Sequence, residues 1–198
     1  MAALRAQGLD VHFLRLDVTS EASVQRAAAD LAAQTDSLAV LINNAGINLS
    51  PDELPSAEQL ASIRQVYEVN TFGPIRVTQA FLPLLRAAGS ARVVMVSSIV
   101  GSLALSSDPT TIYGQVNFMG YSSSKAALNG ITVAFAKELA PLGIQVNAIE
   151  PGHINTDLNR HTGTQPPAEG ANVVVRYATL DDAGPTGGFF GPQGALPW

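Results

Sequence analysis

The chain has 198 residues, 46% of them hydrophobic, with 11 Lys plus Arg against 16 Asp plus Glu and no cysteine. That length suits one domain with a real core, and a net charge of −5 with only 14% charged residues argues against a nucleic-acid or anionic-membrane binder. Without cysteine there are no disulfides, thiol nucleophiles or Cys-ligated metals, and His12, His153 and His161 lack metal-ligand spacing. No apolar run reaches the roughly 18 residues of a membrane span. Residues 1–8 lack the apolar stretch of a signal peptide, so a soluble, cytoplasmic domain is expected.

Residues 11–16, Val-His-Phe-Leu-Arg-Leu, predict a short strand ending at Asp17. Thr19 or Ser20 then caps a helix over about 21–34, with Val24, Ala27, Ala28 and Leu31 as its stripe. The run 38–42 reads as a buried parallel strand, broken by Asn43-Asn44-Ala45-Gly46. Ser56-Ala57-Glu58-Gln59 fits a capping box opening a helical region of about 57–88, bent or divided at Gly73-Pro74 because proline removes a backbone donor. A third strand is expected at 92–96 and a loop at 97–120. A helix follows at 121–139, stopped by Pro141 and Gly143, then a fourth strand at 144–149 ahead of Glu150-Pro151-Gly152. The stretch 157–169 is a linker or a loop over a site; a short helix near 169–180 and a strand near 188–190 end the chain. Strands alternating with helices predict a three-layer α/β fold, a doubly wound parallel sheet with helices on both faces.

In such sheets ligands bind beyond the carboxyl ends of the strands. Asp17, Asn43 to Gly46, Ser97-Ser98 and Pro151-Gly152 fall at those ends. The sharpest local signal is Tyr121-Ser122-Ser123-Ser124-Lys125, which puts Tyr121 and Lys125 on one helix face. An ammonium beside a phenol favours the phenolate, so Lys125 is expected to lower the Tyr121 pKa. Ser98, brought opposite, would hydrogen-bond a carbonyl oxygen while Tyr121 delivers or removes its proton. Carbonyl reduction needs such groups, because hydride addition builds negative charge on that oxygen. Tyr-x-x-x-Lys alone fits a solvated helix face equally well.

The order of motifs is more specific. Asn-Asn-Ala-Gly follows one strand, Ser-Ser-x-x-Gly the next, and Tyr-x-x-x-Lys precedes a Pro-Gly strand end. This order resembles the short-chain dehydrogenase/reductase family over almost the whole chain, and so implies a Rossmann-like fold. The resemblance implies that Tyr121 is the catalytic acid/base, Lys125 its partner and a ligand of the nicotinamide ribose, Ser98 the substrate-orienting serine (Ser97 if the register is off by one), and Asn70 the holder of a relay water. It further implies that Asp17 and Val18 contact adenine, and that Asn43, Ala45 and Gly46 line the adenosine ribose and stabilise the sheet. Pro151, Gly152 and Thr156 would lie beside the nicotinamide carboxamide, with Ile154 reached through its backbone. Simpler roles stay open: Asp17 and Thr156 as helix caps, Asn70 as a kink residue, Asn43 and Asn44 as turn formers, Phe118 and Met119 as core or pocket lining. His153 reads as a loop residue, and Trp198 as packing for the terminus.

Ser98 and Tyr121 stand 23 positions apart. With the ending Gly184-Pro185-Thr186-Gly187-Gly188-Phe189-Phe190 and then Leu196-Pro197-Trp198, this resembles the carbonyl reductase-like subgroup. That implies NADP as cofactor (NAD remaining possible), a small-molecule carbonyl or alcohol substrate, and a monomer when full length, since the segment 102–120 would shield the helix face used for assembly. The family's opening Thr-Gly-x-x-x-Gly-x-Gly turn does not occur in the sequence. Residues 1–8 read as the end of the helix before the family's third strand, so a single domain lacking its first two strands and their helix is expected. The alternative function is accordingly a catalytically inactive fragment without competent cofactor binding.

Overall fold

A strand buried at all six positions, Ile144–Ile149 (β3), runs through the middle of the sheet because helices cover both its faces. The computed structural model describes residues 2–50 and 53–198. Val40–Asn43 (β1), Ala91–Val96 (β2), β3 and Phe189–Gly191 (β4) are parallel neighbours in chain order, and Gly194–Ala195 (β5) pairs antiparallel with β4. The sequence reading omitted β5, which is too short to show a period.

The expected strand at 11–16 does not form. Its residues are irregular, with Phe13 74% exposed and Leu14 packed against the cluster of Val24 and Phe81, and pair with no strand among the described residues. β-propensity supplies half of a ladder, and without a partner the segment stays irregular. Ahead of it, Ala2–Arg5 forms a single helical turn (α1), and Met1 lies outside the described residues.

Ser20 caps Glu21–Ala32 (α2), its side chain accepting the Ser23 N–H at 3.3 Å. The proposed capping box at 56–59 is not used: Leu60–Tyr67 (α3) starts later, and the side chain of its N-cap Gln59 donates back to Ala57 O at 3.2 Å instead of capping the helix. Nor does the long helix break at Gly73-Pro74. Glu68–Phe72 forms a widened π turn that runs directly into Gly73–Ala87 (α4), where Pro74 occupies the first turn and needs no donor. The segment 97–120, expected as loop, contains a short helix Leu103–Ser106 (α5) and 3-10 turns. Met119–Leu139 (α6) and Pro167–Ala178 (α7) lie close to their expected positions.

Strand alternation sorts the two faces. Val93 and Met95 meet Leu85 of α4 and Leu128, Phe135 and Leu139 of α6, whereas Val94 and Ile149 meet Val173, Tyr177 and Ala178 of α7. On the outer side of α4, Val77 and Phe81 pack against Val24 and Ala27 of α2. Three layers result, with the strand ends of β1, β2 and β3 opening together at one edge.

Candidate active site

Tyr121 and Lys125 occupy the first two turns of α6. Phe118, at the N-cap, makes no side-chain bond; instead Glu58 reaches across from the segment before α3 and accepts the Gly120 N–H at 2.9 Å. A carboxylate there also suits the helix dipole. A Cβ at Gly120 would lie 2.5 Å from Glu58 Oε1, so glycine makes room for this contact.

The Ser98 side chain, following β2, lies near the Tyr121 phenol and favours its ionised form. Ser97 turns the other way and donates to Asn129 Oδ1 at 2.6 Å inside the α6 packing. Ser97 is thus buried and engaged within the α6 packing. Lys125, 3% exposed, stands 5.7 Å from the centroid of the Tyr121 ring and donates from Nζ to Val96 O at 2.8 Å.

The electrostatics differ from the expectation. Burial pushes the Tyr121 phenol up to about 12; the Ser98 side chain opposes the rise, and the Glu150 charge adds to it. Burial likewise pushes the Lys125 ammonium down to about 8, against the pull of Glu150. Lys125 therefore does not lower the Tyr121 pKa in the ligand-free protein. Two desolvated groups each favour their neutral form, and the ammonium is spent on a backbone carbonyl.

Asn70 sits on the π turn and is fully buried. Its Oδ1 accepts the Ile47 N–H at 2.8 Å, and its Nδ2 donates to Ile47 O at 3.0 Å and Ser124 Oγ at 3.1 Å. It thus ties the turn after β1 to α6. A Cβ placed on Gly46 would lie 3.5 Å from Lys125 Nζ and 3.6 Å from Asn70 Oδ1, which brings Gly46, Asn70 and Lys125 around one small space. Next to them Ala45 continues the same turn.

Asn43 points inward, its Nδ2 donating to Thr78 Oγ1 at 3.1 Å and to Met95 Sδ at 3.3 Å, so its side chain braces the sheet instead of lining a crevice. Asp17 accepts the Thr19 N–H at 2.9 Å and the Thr19 hydroxyl at 2.7 Å, bonds that hold its carboxyl below the usual range. That is a turn leading into α2, whose cap is Ser20 and not Asp17. Val18 packs over Gly73, and its carbonyl accepts from Arg76.

Past β3, Gly152 takes a φ of 100° that an L side chain rarely adopts. Both backbone groups of Ile154 are engaged within the loop: its N–H donates to Gly152 O at 3.0 Å, and its carbonyl accepts from Asn159 Nδ2 at 2.8 Å. Pro151 and the Ile154 side chain pack against Gly170 of α7. Thr156 heads a 3-10 turn, Asp157–Asn159, its N–H donating to Asn159 Oδ1 at 3.4 Å. Trp198 stacks on Phe189 at 5.6 Å, packing the terminus as expected.

Sequence reasoning missed Glu150. It is buried, and its carboxylate accepts the Ile99 N–H at 2.6 Å and the Gly152 N–H at 2.7 Å. The signal was present: a lone carboxylate closing a six-residue strand with no other charge, directly before Pro-Gly. Among the described residues no group of three or more His, Asp and Glu is placed to hold a metal ion, and no helix is long and apolar enough to cross a membrane.

The family model for short chain dehydrogenases matches residues 1–167. A short-chain dehydrogenase, anuI, of Penicillium roqueforti is 38% identical over 168 residues, covering 83% of this chain and 66% of its own length. Salutaridine reductase of Papaver bracteatum is 30% identical over 243 aligned residues, covering 91% and 78%. The NADPH-bound carbonyl reductase from chicken fatty liver superposes with a TM-score of 0.83 at 28% identity, covering all of this chain and 81% of that one. The chain spans 56% to 66% of the length of three of its curated relatives.

Proposed function

We propose, for a chain that belongs to the short-chain dehydrogenase family and resembles its carbonyl reductases, that this site moves a hydride between NADP(H) and a ketone, aldehyde or secondary alcohol. The observation that carries the reading is the grouping at the start of α6: Tyr121 beside Ser98, and Lys125 one turn further along, 5.7 Å from the Tyr121 ring and next to Gly46. The space beside Gly46 and the Lys125 ammonium fit a nicotinamide ribose: of its three donors one goes to Val96 O, leaving others for ribose hydroxyls. The dinucleotide, when bound, supplies or accepts the hydride. The chain's own residues manage the proton. Ser98 donates to the substrate oxygen, and Tyr121, held in its protonated form by burial, gives that oxygen a proton as negative charge develops on it. Lys125 and Asn70 hold the ribose side, and Pro151, Gly152 and Thr156 border the carboxamide side. Asp17, Val18, Asn43 and Ala45 are the candidates towards the adenosine, with Asn43 acting through the sheet it braces. NADP is favoured over NAD because the similar chicken enzyme is NADPH-bound.

The test is NADPH oxidation with small ketones and aldehydes, assayed in the 198-residue chain and in a fusion behind a relative's Gly-rich phosphate-binding segment. Tyr121→Phe is expected to lower the rate by about 10²–10⁴. Unchanged turnover in that variant would remove Tyr121 from its role, and no reduction by either form would favour the non-catalytic reading. Light scattering on the active form is expected to show a monomer.

A further inference from the structure

Glu150 is the buried ionisable group that the proposed chemistry leaves without a task. Its backbone is fixed by β4, the Glu150 N–H donating to Phe190 O at 2.8 Å. Its side chain, in a residue 7% exposed, divides its two oxygens between two turns: Oε2 takes the Ile99 N–H at 2.6 Å and Oε1 takes the Gly152 N–H at 2.7 Å. Short bonds from backbone N–H groups to a carboxylate are the strong, charge-assisted kind. Ile99 directly follows Ser98, and Gly152 belongs to the Pro-Gly turn, where its φ of 100° suits glycine. One carboxylate therefore spans the two strand ends that would face substrate and nicotinamide.

We propose that Glu150 is a positioning residue, a carboxylate clip that holds the Ser98 turn and the Gly152 turn in one register beside Tyr121 and Lys125. The inference rests on the reductase reading for its purpose but not for its test. Burial pushes the Glu150 carboxyl up, and the Ile99 and Gly152 N–H groups, with the charges of Lys125 from α6 and His153 from the loop after β3, oppose the rise; Tyr121 of α6 in turn feels the carboxylate. The charge keeps the Tyr121 proton in place, which suits a proton donor to a carbonyl more than an acceptor from an alcohol. It also offsets part of the burial acting on Lys125. Glutamine at this position offers a single acceptor oxygen, and its amide group would face the second backbone N–H donor to donor. Only the carboxylate serves both turns.

The test uses the ligand-free 198-residue chain and two readings. Amide hydrogen exchange in Glu150→Ala is expected to speed up at Ile99 and Gly152 by roughly tenfold or more, as a lost bond to a charged acceptor implies, while Val94 and Val146 in the central strands keep their protection. NMR of ¹³C-labelled tyrosine, with the Tyr121 signal assigned by Tyr121→Phe, is expected to show Tyr121 ionising at lower pH in Glu150→Gln than in the parent. A merely structural residue would not move that second reading. Should Glu150→Ala fail to fold, Glu150→Gln carries both, with exchange rising at one of the two amides. Unchanged exchange at Ile99 and Gly152, an equal rise at Val94 and Val146, or an unshifted Tyr121 titration in folded Glu150→Gln would each overturn the proposal. Neither reading needs cofactor or turnover, so a chain that proved inactive would sink the reductase reading and leave this result standing.

Discussion

Replacing Lys125 with methionine should make the ligand-free protein more stable while destroying the site. The ammonium is 3% exposed, and burial holds it at about 8 against the ordinary 10.5. Because the folded value lies below the unfolded one, folding releases a proton between those two pH values, and stability rises with pH across that window. Below it the full penalty applies. At pH 7 this amounts to about 3 kcal/mol, and at pH 9.5 to about 1 kcal/mol. Methionine keeps the apolar stem and removes the charge. The lost bond to Val96 O subtracts about 1 kcal/mol at either pH, so it cancels when the two are compared. Urea unfolding of parent and Lys125→Met at pH 7 and pH 9.5 should then show a gain of about 2 kcal/mol at neutral pH that shrinks to near zero at the higher pH. A variant less stable by the same amount at both would refute the reasoning, since it would mean that the ammonium is well solvated or fully compensated where it lies.

Asn70→Ala should lower stability by about 1–3 kcal/mol in the same urea assay, because it leaves the half-buried Ile47 N–H and carbonyl without their partner. Ser98→Ala and Ser97→Ala should separate cleanly: the first lowers kcat in the NADPH assay with little change in melting temperature, and the second lowers the melting temperature by breaking the buried bond to Asn129. Gly152→Ala should cost about 1–3 kcal/mol from its φ of 100° alone, read by thermal unfolding.

What the sequence disclosed, and what it hid, follows from how local each feature is. The strands at 92–96 and 144–149 were legible because a strand covered on both faces must be a short apolar run, and β2 and β3 fall there within one residue. β1 falls within two residues of 38–42 but, last in the sheet, is only half-buried, with Ile42 41% exposed. The segment 11–16 has the same composition without the neighbour that makes a strand, and nothing in its own residues says so. Tyr121 and Lys125 were legible as a pair because helical spacing is a local property. Their protonation was not, because it depends on burial under elements far away in the chain. Glu58 escaped for a similar reason: read as part of its own helix cap, it caps α6, 62 positions further on. Glu150 was visible as an anomaly but had no partner in the sequence to explain it.

The π turn at Glu68–Phe72 amounts to one extra residue threaded into an otherwise continuous helix. A helix advances about 100° per residue, so deleting any single residue there would straighten the backbone and swing α3 by about that angle relative to α4. Asn70 would leave Ile47, Thr71 would lose its bond to Ser124 O at 3.1 Å, and the face that α3 turns to α6 would rotate away. Length at this point is thus under tighter constraint than identity. Substitutions at Glu68 or Phe72 are tolerable, whereas insertions and deletions are not, and a library that randomises the segment at fixed length should return folded members where one that varies its length returns almost none.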